Sequence, residues 1–212
     1  MIAPARVRCP AQTADCKNEG IFLFPARSDM MKSTNPPAGQ PPVTDEYMQG
    51  LIAALSDPSI DRRHAAVRAL RECGAPAVTP LIAALASAPD ADHRWYAAIA
   101  LSKIGEPTLA PLLRAMAGNP DHAFRRYAAA ALGEMGERAV EPLISAMATD
   151  DRVLRGFLAQ ALSRIGNPAV GPLTRRLTDE NGTIRTCCAL TLWQMGEVGL
   201  PAMIHEIEKE KS

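Results

Sequence analysis

Arg63-His64-Ala65-Ala66-Val67-Arg68-Ala69-Leu70 decides the fold, because the chain restates it four more times. RWYAAIAL stands at 94–101, RRYAAAAL at 125–132, RGFLAQAL at 155–162 and RTCCALTL at 185–192. The closing leucines (Leu70, Leu101, Leu132, Leu162 and Leu192) follow one another at intervals of 30 or 31 residues. Four residues beyond each comes a glycine (Gly74, Gly105, Gly136, Gly166, Gly196), and then a proline (Pro80, Pro111, Pro142, Pro172, Pro201). A period of this length in five registers is the mark of a stacked-repeat architecture, and it governs how every single residue is read.

Each element of the period has a physical reason. Counted from the leucine, positions −4, −1, 0 and +3 fall on one side of a helix. They are Ala66, Ala69, Leu70 and Cys73 in the first repeat, and Ala128, Ala131, Leu132 and Met135 in the third. This helix, B, is expected from about Asp61 to Cys73 in the first repeat. The glycine closes it with a left-handed residue, a conformation costly for any side chain. Pro76, Pro107 and Pro168 then open a new helix, where a missing N–H does no harm. Leu81, Leu112, Leu143 and Leu173, with Leu85, Met116, Met147 and Leu177 beyond them, give that shorter helix A its apolar stripe. The later proline either begins the straight part of helix A or kinks it. One hairpin cannot bury its apolar face alone, whereas stacked neighbours can. The period therefore predicts an all-α chain, an α-solenoid of about five and a half helical hairpins of 30–31 residues. A last A helix, from Leu200 to about Glu210, is polar enough to close the stack.

Composition agrees with this reading. Apolar residues make up 47% of the chain but aromatics only 4%, and alanine, the best helix former, is abundant. Basic and acidic residues balance at 23 each, so net charge argues for no particular class of partner. Cys9, Cys16, Cys73, Cys187 and Cys188 are odd in number and match no zinc spacing, and free thiols fit a reducing compartment. No apolar run approaches the roughly 18 residues that span a bilayer. Ile21-Phe22-Leu23-Phe24 is too short for the core of a secretory signal, so a cytoplasmic protein is expected.

The phrases Pro-Leu-Ile-x-Ala-Leu (Pro80 to Leu85), Arg-x-x-Ala-x-x-Ala-Leu (Arg63 to Leu70) and Ile-Gly-x-Pro (Ile104 to Pro107, Ile165 to Pro168) carry a resemblance. They resemble the short HEAT-like repeats first described in phycobilin lyases, over about residues 46–210. The resemblance implies a right-handed superhelix with helix B on its concave face. It implies less about function, since one fold hosts many. Deoxyhypusine hydroxylases of this class place His-Glu pairs in several repeats to hold two irons. Here His205-Glu206 is the single such pair, while His64, His93 and His122 lack a following carboxylate. No motif matches HEAT-like DNA glycosylases, and nothing identifies the tetrapyrrole that phycobilin lyases bind. The chain also has no glycine-rich phosphate loop, nucleophile elbow or histidine–carboxylate cluster at ligand spacing. No catalytic residue, metal or cofactor is expected. The alternatives are a lyase-like or oxygenase-like enzyme, a tetrapyrrole-type ligand chaperone, and nucleic-acid binding.

At position −7 stand Arg63, Arg94, Arg125, Arg155 and Arg185. Identical spacing in every repeat points to structure, a ladder tying each helix start to a neighbour through groups such as Asp57, Asp150 or Asp179. The variable positions −6, −2 and +1 lie opposite the buried stripe, with −5 on its flank. They yield the partner-binding candidates Trp95, Tyr96, Ile99, Arg126, Tyr127, Gln160, Leu190, Trp193, Arg68 and Arg71. Exposed aromatics in a row mark an interaction surface. The five B helices hold 12 basic against 5 acidic residues, and Arg62, Arg63, Arg68 and Arg71 make the first repeat the most basic. An acidic protein segment suits this surface better than duplex DNA, which asks for far more lysine. The expected partner is another protein or an extended peptide, with no membrane, and nucleic acid stays the weaker alternative.

Residues 1–43 carry no helical or strand period. Pro36-Pro37-Ala38-Gly39-Gln40-Pro41-Pro42 reads as a proline-rich linker, and the stretch before it as a disordered tail. Met30 and Met31 are alternative starts. The chain thus divides into a tail and linker, 1–43, and a repeat domain, 44–212. A chain beginning at Thr44 is expected to melt, by circular dichroism, at the same temperature as the full chain. A drop of several degrees would show that the tail packs on the repeats.

Overall fold

The structure is a computed structural model and describes residues 44–209; the tail and linker read over 1–43 lie outside the described residues, as do 210–212. Helices alternate in two layers. The A layer holds α1 (Asp45–Ala53), α3 (Ala75–Ser87), α5 (Leu109–Gly118), α7 (Val140–Ala146), α9 (Asn167–Arg175) and α11 (Leu200–Lys209). The B layer holds α2 (Ile60–Cys73), α4 (Ala91–Ile104), α6 (His122–Glu134), α8 (Arg152–Ile165) and α10 (Gly182–Gln194). Five A–B pairs and a sixth A helix form an α-solenoid.

Local chemistry sets the helix ends. Asp90, Asp121, Asp151 and Asn181 cap α4, α6, α8 and α10, each side chain accepting backbone N–H groups of the first turn. These caps escaped the sequence reading, although each stands four residues before the repeated arginine. At the other end, Gly105 (φ 84°, ψ −137°) and Gly166 (φ 76°, ψ −137°) close α4 and α8. Their φ is positive, but ψ is extended rather than left-handed helical, a region that side chains rarely adopt. The chain then runs straight into the next A helix. Pro76 and Pro168 lie in the first turns of α3 and α9, and Pro107 in a 3₁₀ turn, Glu106–Thr108, before α5. Of the two options for the later proline, Pro111, Pro142 and Pro201 fall in first turns, while Pro80 and Pro172 lie inside α3 and α9.

One core runs the length of the stack. Leu70, Leu101, Leu132, Leu162 and Leu192 are fully buried, and Leu81, Leu112, Leu143 and Leu173 meet them from the A layer. Ala97, Ala100, Ala128, Ala131 and Ala161 are buried too, which brings successive B helices close together. B helices pack on one another more extensively than A helices do, so the B layer lies on the inner side of the stack's curvature. Leu177, placed on the stripe by its spacing, is only half-buried, because α9 gives way to a 3₁₀ turn at Arg176–Thr178. Cys188 is fully buried, and burial pushes its thiol up to about 12.

Position +7 from each leucine carries a small residue: Ala77, Thr108, Ala139, Ala169 and Gly199. The approach is tight here. The Thr108 hydroxyl donates to the Leu101 carbonyl at 3.1 Å, and a Cβ on Gly199 would lie 2.2 Å from the Leu192 carbonyl oxygen. Gly156, by contrast, sits exposed within α8 with nothing within 4 Å of an added Cβ. Gly199→Ala is therefore expected to destabilise the protein by about 1–3 kcal/mol in urea melts, although alanine is the better helix former. Gly156→Ala is expected to stabilise it by roughly 0.5–1 kcal/mol.

Candidate interaction surface

Four of the five repeated arginines hold the stack together before they offer anything to a partner; Arg94 makes no hydrogen bond or ion pair among the described residues, and its buried Nε is unsatisfied. Arg125 is only 3% exposed; its Nε donates to the carbonyls of Met116 at 3.0 Å and Asn119 at 2.7 Å, and its Nη2 meets Asp151 at 2.7 Å. Arg155 donates to the Thr149 carbonyl, and Arg185 to the carbonyls of Asp179 and Glu180 at 2.6 and 3.0 Å. Arg63 pairs with Asp92 at 3.2 Å and lies over the Tyr96 ring at 4.7 Å. These arginines satisfy carbonyls between helix A and helix B of their own repeat, or reach an aspartate at the start of the next B helix. Two of the anchors expected from sequence are replaced by others: Asp57 pairs with Arg62 at 3.3 Å, and Asp150 is exposed. Asp179 serves Arg185 through its carbonyl, its carboxylate being taken by Arg176 at 2.9 Å.

The outward side of the B layer is uneven. Trp95 is 43% exposed, Leu190 59% and Trp193 66%, and Arg68, Arg71, Arg126 and Gln160 are exposed beside them. Tyr96, Tyr127 and Ile99 are half-buried against the core. Tyr96 meets the His64 ring edge-on at 5.8 Å, Phe157 meets His122 in the same way, and Arg126 covers Tyr127 at 5.1 Å. Position −5 thus joins successive B helices in the second and fourth repeats, leaving Tyr96 little free surface.

Position +1 requires a correction. Its side chains do not all point outward: Ser102 and Ser163 are half-buried and Gly133 is buried. A Cβ on Gly133 would lie 2.8 Å from Cδ of Arg164 on the next B helix. In the second, third and fourth repeats this position faces the following repeat, which the angular argument for an isolated helix could not see, while Arg71 in the first stays exposed. Trp193 is exposed because, among the described residues, no B helix follows α10.

Sequence reasoning also missed Lys103 and Arg138. With Arg71 they line a cleft of about 260 Å³ where the B helices turn back into the A layer. For Lys103 a signal was present at position +2, which holds Glu72, Lys103, Glu134, Arg164 and Gln194; Glu134 and Arg164 pair there at 2.7 Å. His93 is buried with Nδ1 on the Ser56 hydroxyl, and burial holds its pKa below the ordinary histidine range. Among the described residues, no three His, Cys, Asp or Glu side chains gather so as to hold a metal ion, and no helix is long and apolar enough to cross a membrane.

Backbone N–H groups of the first turn hold the carboxyls of Asp121 and Asp151 below their ordinary range, and Arg94 and Arg125 add to this. A carboxyl whose folded pKa is depressed stabilises the fold above its unfolded pKa and loses that contribution as pH falls through the folded value. Stability is therefore expected to decline as pH drops below about 4. Asp151→Asn, which keeps the cap but gives up the ion pair with Arg125, should lower stability near neutrality and make the acid limb shallower. Arg125→Met strands two carbonyls, and thermal melts are expected to show a loss of about 2–4 kcal/mol at neutral pH.

A family profile for HEAT repeats matches residues 48–133 and again 117–193. Among solved structures, an engineered protein from a structural genomics consortium is similar at 18% identity over 77% of this chain and 86% of its own, with a TM-score of 0.31. A designed armadillo repeat protein is similar at 16% identity over 78% of this chain and 92% of its own, with a TM-score of 0.30. Curated proteins give no match. With the profile spanning the repeats from α1 to α10, the chain belongs to the HEAT repeat family.

Proposed function

We propose that this chain is a non-catalytic protein-binding scaffold or adaptor of the cytoplasm, built from phycobilin-lyase-type HEAT-like repeats. It holds an extended segment or a domain of another protein along its B-helix face. The observation that carries this reading is the exposure of Trp95, Leu190 and Trp193 on B helices, in a chain with only two tryptophans. Large apolar side chains kept in water are costly unless a partner covers them, and tryptophan is the residue most enriched among interface hot spots. Arg68, Arg71, Arg126 and Gln160 supply polar and cationic groups beside these anchors.

The two tryptophans lie three repeats apart, about 30 Å if each repeat adds one interhelical spacing. One small ligand cannot span that distance, whereas a peptide segment or a domain can. The double variant Trp95→Ala/Trp193→Ala is expected to weaken binding of the co-purified partner by about thirtyfold or more, with an unchanged helical circular dichroism signal. Isothermal titration of the single and double variants measures this. An unchanged affinity in the double variant overturns the reading.

A further inference from the structure

The cleft at the B–A turns of the first three repeats holds charge that the fold leaves unused. Arg71 on α2, Lys103 on α4 and Arg138 in the turn after α6 line it, with Ile104 and Met135 as its apolar part. Arg71 also lines an adjoining depression with Arg68 and Glu72. None of these four cations makes a hydrogen bond or ion pair among the described residues. Elsewhere the repeats engage most of their cations. Arg62 and Arg63 pair with Asp57 and Asp92, Arg125 with Asp151, and Arg175 and Arg176 with Glu141. Arg155 and Arg185 are held by carbonyls and Arg126 by a ring. Outside the cleft, Arg94, whose buried Nε has no hydrogen-bond partner, and exposed Arg152 on the first turn of α8 make no hydrogen bond or ion pair among the described residues.

We infer that this cleft binds an acidic peptide segment in which an apolar residue sits between carboxylates. The inference rests on the protein-binding reading only for the class of ligand; it uses neither tryptophan. Arg71 and Lys103 stand in the last turns of α2 and α4, where positive charge complements the helix dipole, but that leaves their donor groups open. Arg138 has no such role, since it lies in the 3₁₀ turn Gly136–Ala139. Of the carboxylates lining the cleft, Glu134 is already held by Arg164 at 2.7 and 2.9 Å. The cations are therefore not neutralised by it, and Ile104 and Met135 give an apolar side chain a place among them. A nucleic acid fits worse, because so few cations release few counterions.

The test uses the full chain and a fluorescein-labelled Asp-Glu-Leu-Glu-Asp peptide, read by anisotropy. Saturable binding is expected, weakening as salt rises from roughly 50 to 500 mM. Arg71→Glu/Lys103→Glu is expected to weaken it by about tenfold or more, and Arg138→Glu to weaken it independently. All three residues are exposed, and thermal melts check that the variants stay folded. Replacing the peptide's leucine by serine should also weaken binding. Arg152→Glu and Trp95→Ala/Trp193→Ala should leave it unchanged. No saturable binding by the unaltered chain, an equal loss in Arg152→Glu, or tighter binding of a duplex oligonucleotide of equal charge would each overturn the inference. Because the peptide assay ignores the tryptophans, its failure leaves the scaffold reading standing. Conversely, partner binding that ignores the tryptophans leaves the cleft standing.

Discussion

Leu101, Leu132 and Leu162 are sealed by three neighbours at once: the A helix of their own pair and the B helices on either side. No hairpin of this length could hide its leucine alone, and the alanines around it let the helices approach closely enough to do so together. The dependence is visible at the start of the stack. Ala69 is half-buried, whereas its counterparts Ala100, Ala131 and Ala161 are buried between helices on both sides. Stability is shared across boundaries in this architecture, and what any residue contributes depends on where in the series it stands.

Apolar contact between alanine-rich helices has little direction, so something else must fix how one pair sits on the next. The arginines do part of this. Arg125 ties the end of α5 to the start of α8, and Arg63 links α2 to α4 through Asp92 and Tyr96. Asp151 both caps its own helix and receives the arginine of the repeat before. Bonds of this kind occupy half of the basic residues of the B helices, so a count of basic residues overstates what a partner would meet. The charge left over is concentrated at the turns above α2, α4 and α6, away from the ladder.

Spacing made the fold legible. Leu132 and Gly136 could be assigned from the period alone, because each repeat states the same constraint again and a chance match is soon excluded. The surface was harder to read. A helical wheel treats Trp193 and Gly133 as equivalent, yet one is exposed and the other is buried beneath Arg164. The difference comes from the neighbour, and a wheel drawn for one helix contains no neighbour. Lys103 and Arg138 escaped for a related reason, since they belong to different repeats and meet Arg71 only when the pairs stack. The caps were legible too, since Asp90, Asp121, Asp151 and Asn181 each stand four residues before the repeated arginine, one turn ahead of it at the start of helix B.

The small residues at position +1 bear on how such a protein grows by duplication of its repeats. Ser102, Gly133 and Ser163 leave room for the helix that follows, so a copied pair inserted after α4, α6 or α8 finds a surface already shaped to receive it. A pair inserted between α10 and α11 meets Trp193 instead. Arg71 shows that a long side chain can hold this position ahead of another B helix by bending out to solvent, a course closed to a rigid indole. Copy number thus grows more readily inside the series than after α10.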